Sequence, residues 1–121
     1  MATFSKVKLT GSTNGRGIRV AGNATGTATT VHATTTSASI IDELWLYAFN
    51  SDTTTIQLTV ELGGTTAPDD NIVVSIPSRS GLTLVVPGLI LTGTGSAAST
   101  VRAFAGTIDK IVITGYVHRI S

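Results

Sequence analysis

The sequence predicts an all-β chain folded as an antiparallel β-sandwich, jelly-roll-like in strand order, with another Greek-key or immunoglobulin-like order as the alternative. Three observations predict it. Apolar and polar residues alternate, most cleanly where Ile56, Leu58, Val60 and Leu62 interleave with Thr55, Gln57, Thr59 and Glu61. That is the pattern of a strand with one dry and one wet face. The runs are short, rich in Val, Ile and Thr, and cut by Gly, Pro and Asn at sandwich-like spacing. No segment sustains a helical apolar period. Asp42–Phe49 comes nearest, but its Trp, Tyr and Phe favour a strand.

Taken in order, Lys6–Leu9 and Ile18–Ala21 read as the first strands, with Asn14-Gly15 between them. That dipeptide is the strongest hairpin signal in the chain, since both residues tolerate positive φ. The Thr-, Ala- and Gly-rich tract Thr25–Ser39 holds a short strand near Thr29–Ala33. Ile40–Leu62 holds two strands joined by a polar turn. Gly63–Asp70 reads as a loop, because Pro68 has no N–H for a ladder and the Gly pair ends the strand. Asn71–Ile76 and Leu82–Val86 follow, and Pro87-Gly88 is expected to end the latter in a turn. Gly93–Ser96 is a flexible loop, and Thr100–Ala105 and Lys110–Ile120 close the chain. The expected core is Leu44, Leu46, Ile56, Leu58, Val60, Val74, Ile76, Leu84, Val86, Val101, Ile111, Ile113 and Val117.

A chain of 121 residues is expected to form one domain over residues 1–121, with 1–26 a partly extended N-terminal segment. Such a chain buries roughly two-thirds of its unfolded surface. With no Cys there is no disulfide scaffold. The start, MATFSKVKLTGS, lacks the apolar core of a signal peptide, and no run approaches membrane-spanning length, so synthesis in a cytoplasm is expected. Charged residues are 12% of the chain, about half the usual share of roughly 25%. Its Lys and Arg are dispersed rather than gathered into a basic face, which argues against a nucleic-acid partner. A Thr- and Gly-rich surface of low charge suits a protein packed among neighbours, and equally a plain soluble β domain.

Chemistry-bearing residues are few. Asp69, Asp70 and Asn71, with Glu61, could gather oxygen ligands for Ca²⁺, but they lack the spacing of an acidic calcium loop and read better as a turn. Asp42-Glu43 and Asp69-Asp70 could suggest the paired carboxylates of a glycosidase, but nothing along the chain fixes the separation such a pair needs. The only two His, His32 and His118, lie in strand-like segments, and abundant Ser and Thr make any drawn triad meaningless. Gly11–Gly17 lacks the helix and Lys of a phosphate loop and reads as turns. Asn23-Ala24-Thr25 is a glycosylation acceptor only for a secreted chain. No catalytic residue, metal site or cofactor is expected, and the chain is not read as an enzyme.

The residues that stand out are aromatic. In Leu44–Phe49, Leu44, Leu46 and Ala48 take one face while Trp45, Tyr47 and Phe49 take the other. The last strand is similarly double, with Ile111, Ile113 and Val117 opposed by Val112, Tyr116 and Ile120. A strand that is apolar on both faces needs cover on both, from its own chain or another. Trp45, Tyr47, Phe49 and Tyr116 are therefore interface candidates, joined by Pro68, Asp69 and Asp70 on an exposed loop. The same aromatics could instead stack on sugar rings, as in a carbohydrate-binding or host-surface adhesion module.

As a set, IIDELWLYAFN, LTVELGGTTAPDDNIVVSIPSRSGLTLVVPGLIL, TVRAFAG and IVITGYVHRI resemble small proteins encoded among the virion structural genes of tailed bacteriophages. With the STNG and TTVH pieces upstream, the resemblance covers approximately residues 9–121. It is specific as a set and weak motif by motif. The resemblance implies a virion component, chiefly a capsid decoration (cement) protein, with a tail or neck role as the alternative. Such proteins are often β-rich trimers on the outside of the shell. The implied partners are the major capsid protein and further copies of the chain, with no membrane and no nucleic acid. The implied place is the capsid exterior, after synthesis in the host cytoplasm. Residues 1–26, Gly63–Asn71 and Gly93–Ser99 are the segments expected to reach the shell, because loops and termini on a rigid scaffold usually carry contacts.

Overall fold

The alternation seen along the chain becomes nine strands in a computed structural model, which describes residues 2–121. They are β1 (Phe4–Lys8), β2 (Ile18–Arg19), β3 (Thr29–Ala33), β4 (Ile41–Asn50) and β5 (Ile56–Leu62), then β6 (Asn71–Ile76), β7 (Thr83–Thr92), β8 (Thr100–Ala105) and β9 (Ile111–Ile120). Helical structure among the described residues is limited to one 3₁₀ turn, Thr25–Thr27. The strands form two antiparallel sheets. One runs β1-β9-β4-β7 with the short β2 also on β9, and the other runs β3-β8-β5-β6. The two face each other across one core, as a β-sandwich.

The pairing is nested. β1 pairs with β9, β3 with β8, β4 with β7 and β5 with β6. This is one long hairpin folded over on itself, so successive strands cross between the sheets, except β1 to β2 and β5 to β6. The core lies between the inner faces. Leu44, Leu46, Ala48, Val86, Ile111, Ile113 and Val117 come from the first sheet, and Val31, Leu58, Val60, Ile76, Val101, Ala103 and Ala105 from the second. Each large aliphatic buried this fully contributes roughly 1.5–3 kcal/mol through the hydrophobic effect.

Three sequence expectations are corrected. Asn14 and Gly15 do take positive φ, 56° and 83°, but the strands flanking them both pair with β9 and not with each other. They make a turn, not a hairpin. Pro87-Gly88 does not end β7. Among the described residues nothing pairs with β7 beyond β4, and an edge strand has a side where a missing N–H costs nothing. The strand therefore continues to Thr92, with register shifts opposite Leu44/Trp45 and Leu46/Tyr47. The second shift turns Val85 and Val86 both inward and leaves Leu84, expected in the core, 45% exposed. Val74 packs against the core but is only partly buried.

The segment 1–26, expected as partly extended, supplies β1 and β2 to the first sheet. Its remaining turns are held by Gly11 N–H on the Val31 carbonyl and Val20 N–H on the Ile111 carbonyl. Met1 lies outside the described residues.

Candidate functional site: the outer face of the five-stranded sheet

Alternation along β4 and β9 places two rows of side chains on the solvent side of the first sheet. Trp45, Tyr47 and Phe49 are half-buried there, while Leu44, Leu46 and Ala48 point into the core. Strand register sets Trp45 beside Tyr116, Tyr47 beside Thr114 and Phe49 beside Val112. Two glycines fit this arrangement. A Cβ on Gly88, whose φ is +79°, would sit 2.9 Å from the Trp45 ring, so the indole lies over a residue that must lack a side chain. A Cβ on Gly115 would lie 2.0 Å from the Trp45 carbonyl oxygen, so β9 and β4 close together only because it is glycine.

The flanks of this sheet are apolar as well. Of the seven exposed large hydrophobics among the described residues, Phe4 is on β1, Leu84, Leu89 and Ile90 are on β7, and Leu82 is at the entry to β7. The remaining two, Val73 and Ile108, lie elsewhere. Four of the seven therefore lie on strands of this sheet and a fifth at the entry to one of them, so most of the exposed large apolar side chains are on this side of the sandwich.

Within the face sits a polar cluster. Glu43 Oε1 accepts from Trp45 Nε1 at 2.8 Å and lies 3.2 Å from His118 Nδ1. The Tyr116 and His118 rings are 5.2 Å apart, and Lys6 Nζ stands 4.8 Å above the Tyr116 ring. The Trp45 and His118 hydrogen bonds hold the Glu43 carboxyl below its usual value. Beside it runs a groove of about 390 Å³ lined by Phe4, Ser5, Lys6, Glu43, His118 and Ile120.

The other candidates fall elsewhere. Pro68, Asp69 and Asp70 lie on the β5–β6 loop of the second sheet, where Asp70 Oδ2 accepts the Thr66 N–H at 3.0 Å as a turn would. Asp42 and Glu43 point to opposite faces of β4, so they form no carboxylate pair. Among the described residues no group of three or more His, Cys, Asp or Glu is placed to hold a metal ion. The loops 63–70 and 93–99 gather at one end of the sandwich with Thr3 and Ser121. Gly63 N–H bonds the Thr100 carbonyl, Thr34 N–H the Ser99 carbonyl, and Thr3 and Ser121 bond each other.

One buried network was not legible beforehand. Asp42 is fully buried; Arg119 donates to it through Nε at 2.7 Å and Nη2 at 2.9 Å, and His32 Nε2 lies 2.7 Å from its Oδ2. The Thr10 N–H donates to His32 Nδ1 at 3.2 Å, so the ring proton sits on Nε2 and faces Asp42. Both ring nitrogens are thereby engaged, and the set ties β3, β4 and β9 together. Burial raises the Asp42 carboxyl, but the hydrogen bonds from Arg119 and His32, with the Arg119 charge, outweigh it and leave it below 3.8. The available signal was phase. Asp42 shares the inward face with Leu44 and Leu46, where a polar residue needs a partner.

Comparison of the chain with known protein families, with curated proteins and with solved structures found no match.

Proposed function

We propose that this chain is a virion structural protein that decorates the outside of a phage capsid shell and stabilises it through protein–protein contacts. We read its nested strand order as a jelly roll. The observation that carries the proposal is the apolar outer face around Trp45, Tyr47, Phe49 and Tyr116, flanked by the exposed side chains of β1 and β7. That face would be covered by further copies of the chain. A trimer follows from the phage resemblance and from the three-fold sites that shells offer. The end bearing loops 63–70 and 93–99 would meet the major capsid protein. An interface on the order of 800 Å² per partner is sufficient, and many copies on one lattice make weak single contacts add up.

Sedimentation of the native chain and of Tyr47→Ser, alone and with shells lacking the protein, tests this. The native chain should self-associate and pellet with shells, while Tyr47→Ser stays folded and monomeric. A native chain that is monomeric at high concentration and leaves shells bare contradicts the proposal.

A second reading, glycan binding, is favoured by the groove, which sets a carboxylate, a lysine and an imidazole beside Tyr116 and Trp45. Glycan binding that disappears in a folded Trp45→Ala variant would select it. A tail or neck position would leave the same face in use against a different neighbour.

A further inference from the structure

The outer face of the second sheet carries a buried carboxylate that nothing so far uses. Register places Glu61 of β5 between Arg102 of β8 and Asn71 of β6, all on the same outer face. Alternation predicts a wet side chain at Glu61, yet it is fully buried. The 3₁₀ turn explains this. Thr25 Oγ1 donates to Glu61 Oε2 at 3.1 Å, and the turn lies over the sheet. Arg102, the nearest cation by register, donates from Nη2 to the carbonyl of the same Thr25 at 3.1 Å and makes no ion pair with Glu61. Among the described residues no Lys, Arg or His lies within ion-pair distance of Glu61.

Two buried oxygens are left over: among the described residues, Glu61 Oε1 and Asn71 Oδ1 have no hydrogen-bond partner. Residues directly opposite in an antiparallel pair have their Cβ atoms about 5 Å apart, so the two side chains rise from neighbouring points on the same face of the sheet. Both can only accept, and one is on a carboxylate. A buried charge is tolerated when paired or when it coordinates a metal.

We propose that Glu61 and Asn71, beneath the 3₁₀ turn, hold a hard cation of the calcium or sodium class. The donors are a carboxylate, an amide oxygen and the Thr25 hydroxyl, which are oxygen ligands suited to such ions and not to zinc or copper. With a single carboxylate the site is weak, with half-saturation on the order of 1 mM for Ca²⁺. Its role is to clamp residues 21–28, which carry the chain from the first sheet to the second, onto β5 and β6. The sequence offers Glu61 and Asn71 as oxygen ligands only within an acidic turn that also holds Asp69 and Asp70; the Thr25 cover is absent from that pattern because it is far from both along the chain.

Thermal unfolding in choline chloride, titrated with CaCl₂ or NaCl at constant ionic strength, tests this. The native chain should show a saturable rise in Tm, about 5 °C at ten times the dissociation constant. Asn71→Ala, at a half-buried strand end, and Glu61→Gln, whose amide can donate to Asn71 Oδ1, should both fold and lose the rise. The calcium and sodium arms identify the ion. No saturable rise with either ion overturns the proposal, as does a rise that persists in the variants.

Discussion

Asp42 shows how much a single position can hold. Its carboxylate sits on the inward face at the start of β4 with two Arg119 nitrogens and one His32 nitrogen within 2.9 Å. Removing one partner of a buried ion pair leaves the other uncompensated, so Asp42→Asn should cost about 3 kcal/mol in chemical denaturation at pH 7. The acid limb gives a second readout. The folded carboxyl is depressed below its unfolded value of 3.8, so its contribution is fully present above that value and is lost as pH falls through the lower folded one. Stability between about pH 4 and pH 2 should therefore fall less steeply in Asp42→Asn than in the native chain. Equal slopes would show that the pairing is not what acid removes. Gly88 is the residue-scale test of the outer face. Gly88→Ala should lower stability and disturb Trp45 fluorescence, because the new methyl meets the indole at 2.9 Å and the φ of +79° is strained.

At the scale of elements, the sheets have an inner, fully buried face and an outer, half-buried one, and the two can be probed separately. Leu58→Ala on β5 and Ile113→Ala on β9 empty fully enclosed sites and should each cost roughly 2–5 kcal/mol. Losses below about 1 kcal/mol at both would mean the inner faces are wrongly identified. Tyr47→Ser removes apolar area from the outer face only, so its Tm should stay close to native while self-association is lost.

Legibility followed the same division. Period-two alternation located β4, β5, β6, β8 and β9 closely, because each has a consistent inner face. It failed on β7, where an edge position tolerates Pro87 and shifted register returns Leu84 to solvent. It failed again at Asn14-Gly15, since the local turn chemistry was right but both flanking strands found β9 instead. Of the candidate site, Trp45 and Tyr116 were legible as aromatics out of phase with the core. Their contacts with Glu43, His118 and Lys6 were not, because they depend on the register of β1, β9 and β4. Burial of Glu61 was equally hidden, since a turn some thirty-six residues away provides its cover.

At the scale of the molecule, the nested strand order separates two surfaces. The outer face of the β1-β9-β4-β7 sheet is broad, apolar and preset by strand geometry, which suits repeated contact between identical copies. The end carrying loops 63–70 and 93–99 is built from turns tied to one another by backbone hydrogen bonds, which suits a fixed lattice of different subunits. The central claim is that this chain sits on the outside of a shell and uses those two surfaces. Cryo-electron microscopy of the intact particle tests it most directly, because one map locates every copy. The expected result is β-sandwich density on the capsid exterior, with Trp45, Tyr47 and Tyr116 covered by neighbouring copies and loops 63–70 and 93–99 against the capsid protein. Density confined to the tail or neck, or a particle with no copy of the chain on it, would contradict it.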